Sequence, residues 1–191
     1  LNQINSDEET KNTCNAYEPK KRDPTILIKN VASDTDLLKL AEQIAECNPE
    51  LEGLEDDMEY LFKLKYSDTA KHMNVVLKTS PKVYHIITAQ MNNRIYLDFQ
   101  CCNIQTKIFI RQCQKCFSFN HKKGDCKNRP ICKTCGEHKE DNHSCSGNTC
   151  CINCKNSTKY KNDTSHSPNT EHCPIYKTQV ERSKEQTQYR P

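Results

Sequence analysis

Tryptophan is absent from this chain of 191 residues, glycine occurs only four times, and 34% of residues are hydrophobic against 28% charged. So little apolar material cannot fill a large core, and the length suits one modest domain plus a smaller piece held together by other means. There is no apolar run of membrane length, so no spanning helix and no membrane partner are expected. The few glycines form no phosphate-cradling loop, and no Ser/His/Asp triad or paired catalytic carboxylates stand out. The chain is therefore not expected to be an enzyme or to take a small-molecule substrate.

Cysteine is what the chain has in plenty. Fourteen are present, most of them from Cys113 to Cys173, where apolar residues thin out. A disulfide scaffold and a reduced metal-binding segment are the two readings of such a cluster, and spacing separates them. Three Cys-x-x-Cys pairs occur, each followed by a histidine and a further cysteine. Three thiolates and an imidazole complete a tetrahedral zinc site, whereas disulfides would not need the histidines. Three Zn2+ ions are expected on this basis, together with an intracellular, thiol-reducing location.

The first set is Cys113, Cys116, His121 and Cys126, a C-x2-C-x4-H-x4-C zinc knuckle. Four protein ligands leave no open position, so the site reads as structural rather than hydrolytic. Asn120 precedes the histidine and tolerates left-handed backbone better than most residues. The second set is Cys132, Cys135, His138 and Cys145, with His143 as a competing imidazole in the same loop. His138 is favoured because it keeps a six-residue gap to its last cysteine. His166 of the third set, Cys151, Cys154, His166 and Cys173, keeps the same gap. In that third set Cys150 competes with Cys151, and His172 with His166. Cys14, Cys47, Cys101 and Cys102 have no histidine at knuckle spacing and read as ordinary thiols.

Charge is divided unevenly. Residues 1–106 hold 12 Lys+Arg and 17 Asp+Glu, a net of −5, whereas residues 107–191 hold 16 and 8, a net of +8. Each three-thiolate zinc site removes one unit, which leaves the metal-binding half at +5. A basic segment of this kind attracts polyanions. Around the first knuckle, Arg111, Lys115, Lys122 and Lys123 are interleaved with Phe117 and Phe119. Cations on phosphates and aromatic rings under unpaired bases are the means by which single-stranded RNA or DNA is held. One of the two phenylalanines is expected to pack under the knuckle and the other to stack. The alternative is a zinc-stabilised protein-interaction module, its basic residues a solvated face.

Upstream of the knuckles the pattern is that of a mixed α+β domain. Residues 1–23 are polar, without apolar period, and read as disordered. Residues 24–106 begin with a strand-length run from Thr25 to Val31. Ser33 or Asp34 then caps a helix carrying Leu37, Leu40, Ala41 and Ile44 on one face. Strands follow at Met58–Tyr66 and His72–Lys78, joined by a turn at Ser67-Asp68-Thr69. Ser80-Pro81 opens a second helix, and Asn92-Asn93 turns into a last strand, Arg94–Phe99. The predicted order is βαββαβ, a ferredoxin-like arrangement also used by RNA-recognition modules. Leu27 stands where such modules carry an aromatic platform, so base stacking on the sheet is not expected. Residues 107–176 are the three knuckles, and residues 177–191 are a polar tail predicted to be disordered.

These features together resemble the Gag-like nucleic-acid-binding protein of the first open reading frame of non-long-terminal-repeat, jockey-like retrotransposons. The resemblance spans Pro24 to Lys177. It rests on the βαββαβ order, Ser80-Pro81-Lys82-Val83, the stretch from Ile108 to His121, and two further knuckles ending His172-Cys173-Pro174-Ile175-Tyr176. It implies a protein that coats its element's RNA, self-associates into ribonucleoprotein particles and helps strands anneal.

Overall fold

The computed structural model describes residues 19–64 and 70–191, which form two compact units. Most of residues 1–23 and the turn at residues 67–69 lie outside the described residues, as does Tyr66. The first unit runs to Ile104 and also takes in Thr187–Pro191; the second is Gln105–Gln186.

The first unit is a five-stranded sheet with helices. In chain order it has β1 (Thr25–Ala32), α1 (Leu40–Cys47), β2 (Met58–Leu64), β3 (His72–Thr79), α2 (Pro81–His85), β4 (Arg94–Leu97) and β5 (Gln100–Thr106). The sheet order is β2-β3-β1-β5-β4, and the β1/β3, β2/β3 and β4/β5 pairs are antiparallel. The sequence reading missed β5. The last expected strand stops at Leu97, the chain reverses at Asp98 (φ 52°) and returns as β5 beside β1, leaving β4 outermost. Phe99, predicted to be a strand residue, stands fully exposed at this reversal.

One hydrophobic core holds this unit together. Ile26, Ile28 and Val31 of β1, Met73, Val75 and Leu77 of β3, and Ile95 and Leu97 of β4 pack with Leu40 and Ile44 of α1 and with Val83 of α2. Alternation in the strands and 3.6-residue spacing in the helix place these residues on facing surfaces. Helix α1 begins at Leu40, later than Ser33 or Asp34 would place it. Asp36 instead accepts from the Leu38 N–H within a preceding loop, 3.0 Å. Ser80 caps α2 as expected, its Oγ accepting from Val83 N at 3.2 Å with Pro81 in the first turn. Below it the helix widens into one π turn, Ile86–Gln90. Asn92 and Asn93 adopt positive φ in the turn into β4. Cys102 is part of the core, and Cys101 is exposed.

The second unit has almost no apolar core. Its buried residues are mainly Cys113, Cys116 and Cys126 with Ile131 against them, and Cys151, Cys154 and Cys173 with Tyr160, Ile175 and Tyr176. Two helices are present, α3 (Ile152–Lys155) and α4 (Pro174–Glu185). Helix α4 covers much of the stretch predicted to be a disordered tail. Cys173 caps it, with Pro174 in its first turn, an arrangement that fits proline's fixed φ and missing N–H. Beyond the helix Thr187 pairs with Arg22, and Tyr189 lies 5.1 Å from the Tyr84 ring, both contacts within the first unit.

Candidate metal centres

Among the described residues, three groups of four side chains bring thiols and an imidazole within 4.8 Å of one another. They are Cys113, Cys116, His121 and Cys126; Cys132, Cys135, His143 and Cys145; and Cys151, Cys154, His166 and Cys173. The first and third are the sets read from the sequence, and Cys150 and His172 belong to neither. The second is a correction: His143 joins the thiols, and His138 does not.

The local folding explains that correction. The first two centres are built on the same hairpin. Phe117 N donates to Cys113 O at 2.9 Å, and Gly136 N to Cys132 O at 3.0 Å. Cys113 N donates to Ser118 O, and Cys132 N to Glu137 O, both at 2.8 Å. The residue after the second cysteine has left-handed backbone in each, Phe117 at φ 59° and Gly136 at φ 70°. The returning strand then pairs Phe119 with Gln112 and His138 with Ile131. His138 therefore takes the strand position of Phe119 rather than the ligand position of His121, and its side chain is exposed. Three residues after Cys135, at His138, the chain has not yet cleared the hairpin; His143, eight residues on, can reach back.

The third centre has a different frame. Cys151 precedes the short helix α3, and Cys173 caps α4, its sulfur accepting from Tyr176 N at 3.4 Å. The ends of two helices thus converge on one cluster. The long loop between them returns His166, whose Nδ1 lies 3.4 Å from Asp163 Oδ1 while Nε2 faces Cys154. Holding the second ring nitrogen in this way orients a ligating imidazole.

Distances test whether zinc fits. A tetrahedral ion with ordinary zinc–sulfur and zinc–nitrogen bonds needs ligand edges of about 3.8 Å between sulfurs and about 3.6 Å between sulfur and nitrogen. In the first centre Cys116 Sγ is 3.5 Å from Cys126 Sγ and 3.4 Å from His121 Nε2. In the second, Cys132 and Cys145 sulfurs are 3.8 Å apart and Cys135 Sγ is 3.3 Å from His143 Nε2. In the third, Cys173 Sγ is 3.7 Å from both other sulfurs, and Cys154 Sγ is 3.4 Å from His166 Nε2. These edges fit a zinc ion in each centre. They are far too long for a disulfide, and the thirteen described cysteines are all free.

Electrostatics point the same way. Burial, and then the neighbouring thiolates, push the Cys154 thiol well above its ordinary range; burial likewise raises Cys151. Thiols this close repel as anions, and a divalent cation removes that repulsion. In the first centre burial would raise Cys116. Hydrogen bonds from the Asn128 amide and from Ser118 outweigh it and bring the thiol down to about 6. The Cys135 and Thr134 backbone N–H groups do the same for Cys132, also to about 6 despite burial.

The three centres are tied into one body within the second unit. Ile131 N donates to Lys115 O at 2.9 Å, joining the second hairpin to the first. Phe117 O accepts from Gln112 Nε2 at 2.9 Å and from Asn153 Nδ2 at 3.0 Å, which joins the first centre to the third. Lys155 pairs with Glu137 at 3.0 Å, and Cys150 N donates to Thr134 O at 2.7 Å, joining the third to the second. None of these cross-links was visible in the ligand spacing.

The residues predicted to contact nucleic acid divide into two groups. Arg111, Lys122 and Lys123 are exposed, as are Lys127 and Arg129. Lys115 is half-buried, its ammonium donating to Cys126 O at 3.2 Å. Phe117 is buried at 8% exposure, whereas Phe119 is half-buried with its ring centre 6.5 Å from that of Tyr176. No family model matches the chain, and neither a curated protein nor a solved structure matches it.

Proposed function

We propose that this is a non-enzymatic, zinc-dependent protein that binds single-stranded RNA or DNA through its metal-bearing unit. The observation that carries the reading is the set of exposed cations around the first centre, Arg111, Lys122, Lys123, Lys127 and Arg129, in a half of the chain with net charge +8. Cations held on a small rigid frame neutralise successive phosphates. Phe119, half-exposed beside them, is the ring best placed to stack on a base. Zinc is the ion proposed for all three centres, since thiolate and imidazole in a closed tetrahedron suit it.

The βαββαββ unit is read as a variant of the RNA-recognition arrangement. The run β2-β3-β1 keeps that order, and β5 stands where the fourth strand would lie. By its resemblance to the retrotransposon Gag-like proteins, the chain would work inside the cell by coating its element's RNA in self-associating particles. Titration of the zinc-loaded chain with a labelled single-stranded RNA tests the binding step. The expected affinity falls by orders of magnitude between about 50 and about 200 mM salt. Salt-insensitive binding, or none, overturns the proposal.

A protein-interaction module is the second reading. It is favoured by the internal use of Phe117 and of the Lys115 ammonium, two of the six predicted contact residues.

A further inference from the structure

Where the three metal-bearing segments meet, they enclose a cleft of about 430 Å³. That volume lies within the range of roughly 300–1,000 Å³ that small-molecule sites occupy. Ile131 from the second hairpin and Ile152 from α3 give it apolar sides, both half-buried. Arg129 and His138 stand at it as exposed side chains. Two asparagines line it with their amides already oriented: Asn128 Nδ2 donates to Cys116 Sγ at 3.5 Å, and Asn153 Nδ2 donates to Phe117 O at 3.0 Å. Each bond uses one of the two N–H groups of its amide and fixes which end of the amide is the oxygen, and an amide oxygen only accepts.

We propose that this cleft binds one unpaired nucleotide of the strand held by the basic surface. The base lies against Ile131 and Ile152, its amine edge donates to the two asparagine oxygens, and Arg129 takes a flanking phosphate. His138, released from metal duty by the hairpin, supplies a flat ring at the entrance for a neighbouring base. Fixed acceptors favour a base that carries an exocyclic amine, so adenine, cytosine and guanine are taken over uracil and thymine. This inference rests on the reading of the chain as a single-strand binder and adds to it a pocket with base preference. All three segments line the cleft, so it exists only when the second unit is assembled.

The test uses the full zinc-loaded chain and two probes, oligocytidylate and oligouridylate of equal length, at one salt concentration. Amide resonances of Ile131, Gly136 and Ile152 are expected to shift on adding oligocytidylate, with affinity about tenfold above that for oligouridylate. Arg129→Ala combined with His138→Ala should weaken oligocytidylate binding about tenfold and narrow the preference. Lys161→Ala, which removes an exposed charge that does not line the cleft, should leave the preference intact. Equal affinity for the two probes, or undisturbed cleft resonances while both bind, overturns the pocket and leaves single-strand binding standing. Failure of both probes to bind at low salt overturns the underlying reading as well.

Discussion

His138 stands opposite Ile131 in the second hairpin, a strand partner rather than a ligand. The consequence is a clean separation between two nearby histidines. His143→Ala should lower zinc content from about three ions per chain to about two, because a closed site loses one of its four ligands. His138→Ala should leave it at three. Metal analysis of the purified variants, with cobalt spectra as a second readout, decides between them.

Gly136 carries the second hairpin through φ +70°, and a β-carbon there would lie 2.7 Å from the carbonyl oxygen of Cys150. Neither strain can be relieved by turning a flexible side chain. Gly136→Ala should destabilise the second unit by about 1–3 kcal/mol and weaken the second metal centre. Gly124→Ala, with open space around it, is the matching control and should change little. Thermal melting of both variants in the zinc-loaded state checks the contrast.

Metal removal should act on the two units differently. The first has a continuous apolar core built from β1, β3, β4, α1 and α2, whereas the second packs chiefly around its cysteines. A strong chelator should unfold residues 107–176 and leave the sheet intact, since structural zinc and folding are coupled. Backbone resonances of Ile28 and Val75, compared with those of Cys116 and Cys154, report each unit separately. Acidification works in the same direction. Cys151 and Cys154 are raised above their ordinary range by burial first and then by neighbouring thiols. They therefore hold protons at neutral pH, and zinc must displace these, so affinity should rise with pH and protons should be released on loading.

Phe117 and Phe119 should give opposite phenotypes. Phe117 is buried under the first centre, so Phe117→Ala should lower the melting temperature through lost packing. Phe119 is half-buried against Tyr176. Phe119→Ala should instead weaken single-strand binding by about 1–3 kcal/mol. Affinity and melting measured on the same preparations separate the two effects.

Asn48 is the buried polar residue that joins α1 to β4. Its Nδ2 donates to Ile44 O and Tyr96 O at 2.7 Å, and its Oδ1 accepts from Tyr96 N at 2.8 Å. Asn48→Ala leaves those backbone groups without partners at a site only 1% exposed. The cost expected is about 1–3 kcal/mol, read from denaturant unfolding followed at the sheet.

Local pattern was enough wherever chemistry and geometry are set by neighbours in the chain. The spacing of Cys113, Cys116, His121 and Cys126 located the first centre, because a thiolate pair on one turn and two ligands on the next loop need no distant help. Ser80-Pro81 and Asn92-Asn93 likewise marked a cap and a turn, and alternation in Met73, Val75 and Leu77 marked a buried strand face. Tertiary structure decided what pattern left open. His138 and His143 are equally good ligands by type, and only the hairpin pairing of Ile131 excludes the first. β5 carries Gln100, Asn103, Gln105 and Thr106 around its buried Cys102 and Ile104, too polar to announce itself, and is a strand because β1 and β4 leave a place for it. Helix α4 is polar beyond its first turn, where Ile175 and Tyr176 pack against the third cysteine cluster, and Cys173, a member of that cluster, also caps it. The joining of three centres into one body comes from single hydrogen bonds such as Ile131 to Lys115 and Asn153 to Phe117. Such bonds between residues far apart in sequence leave no periodic trace in it.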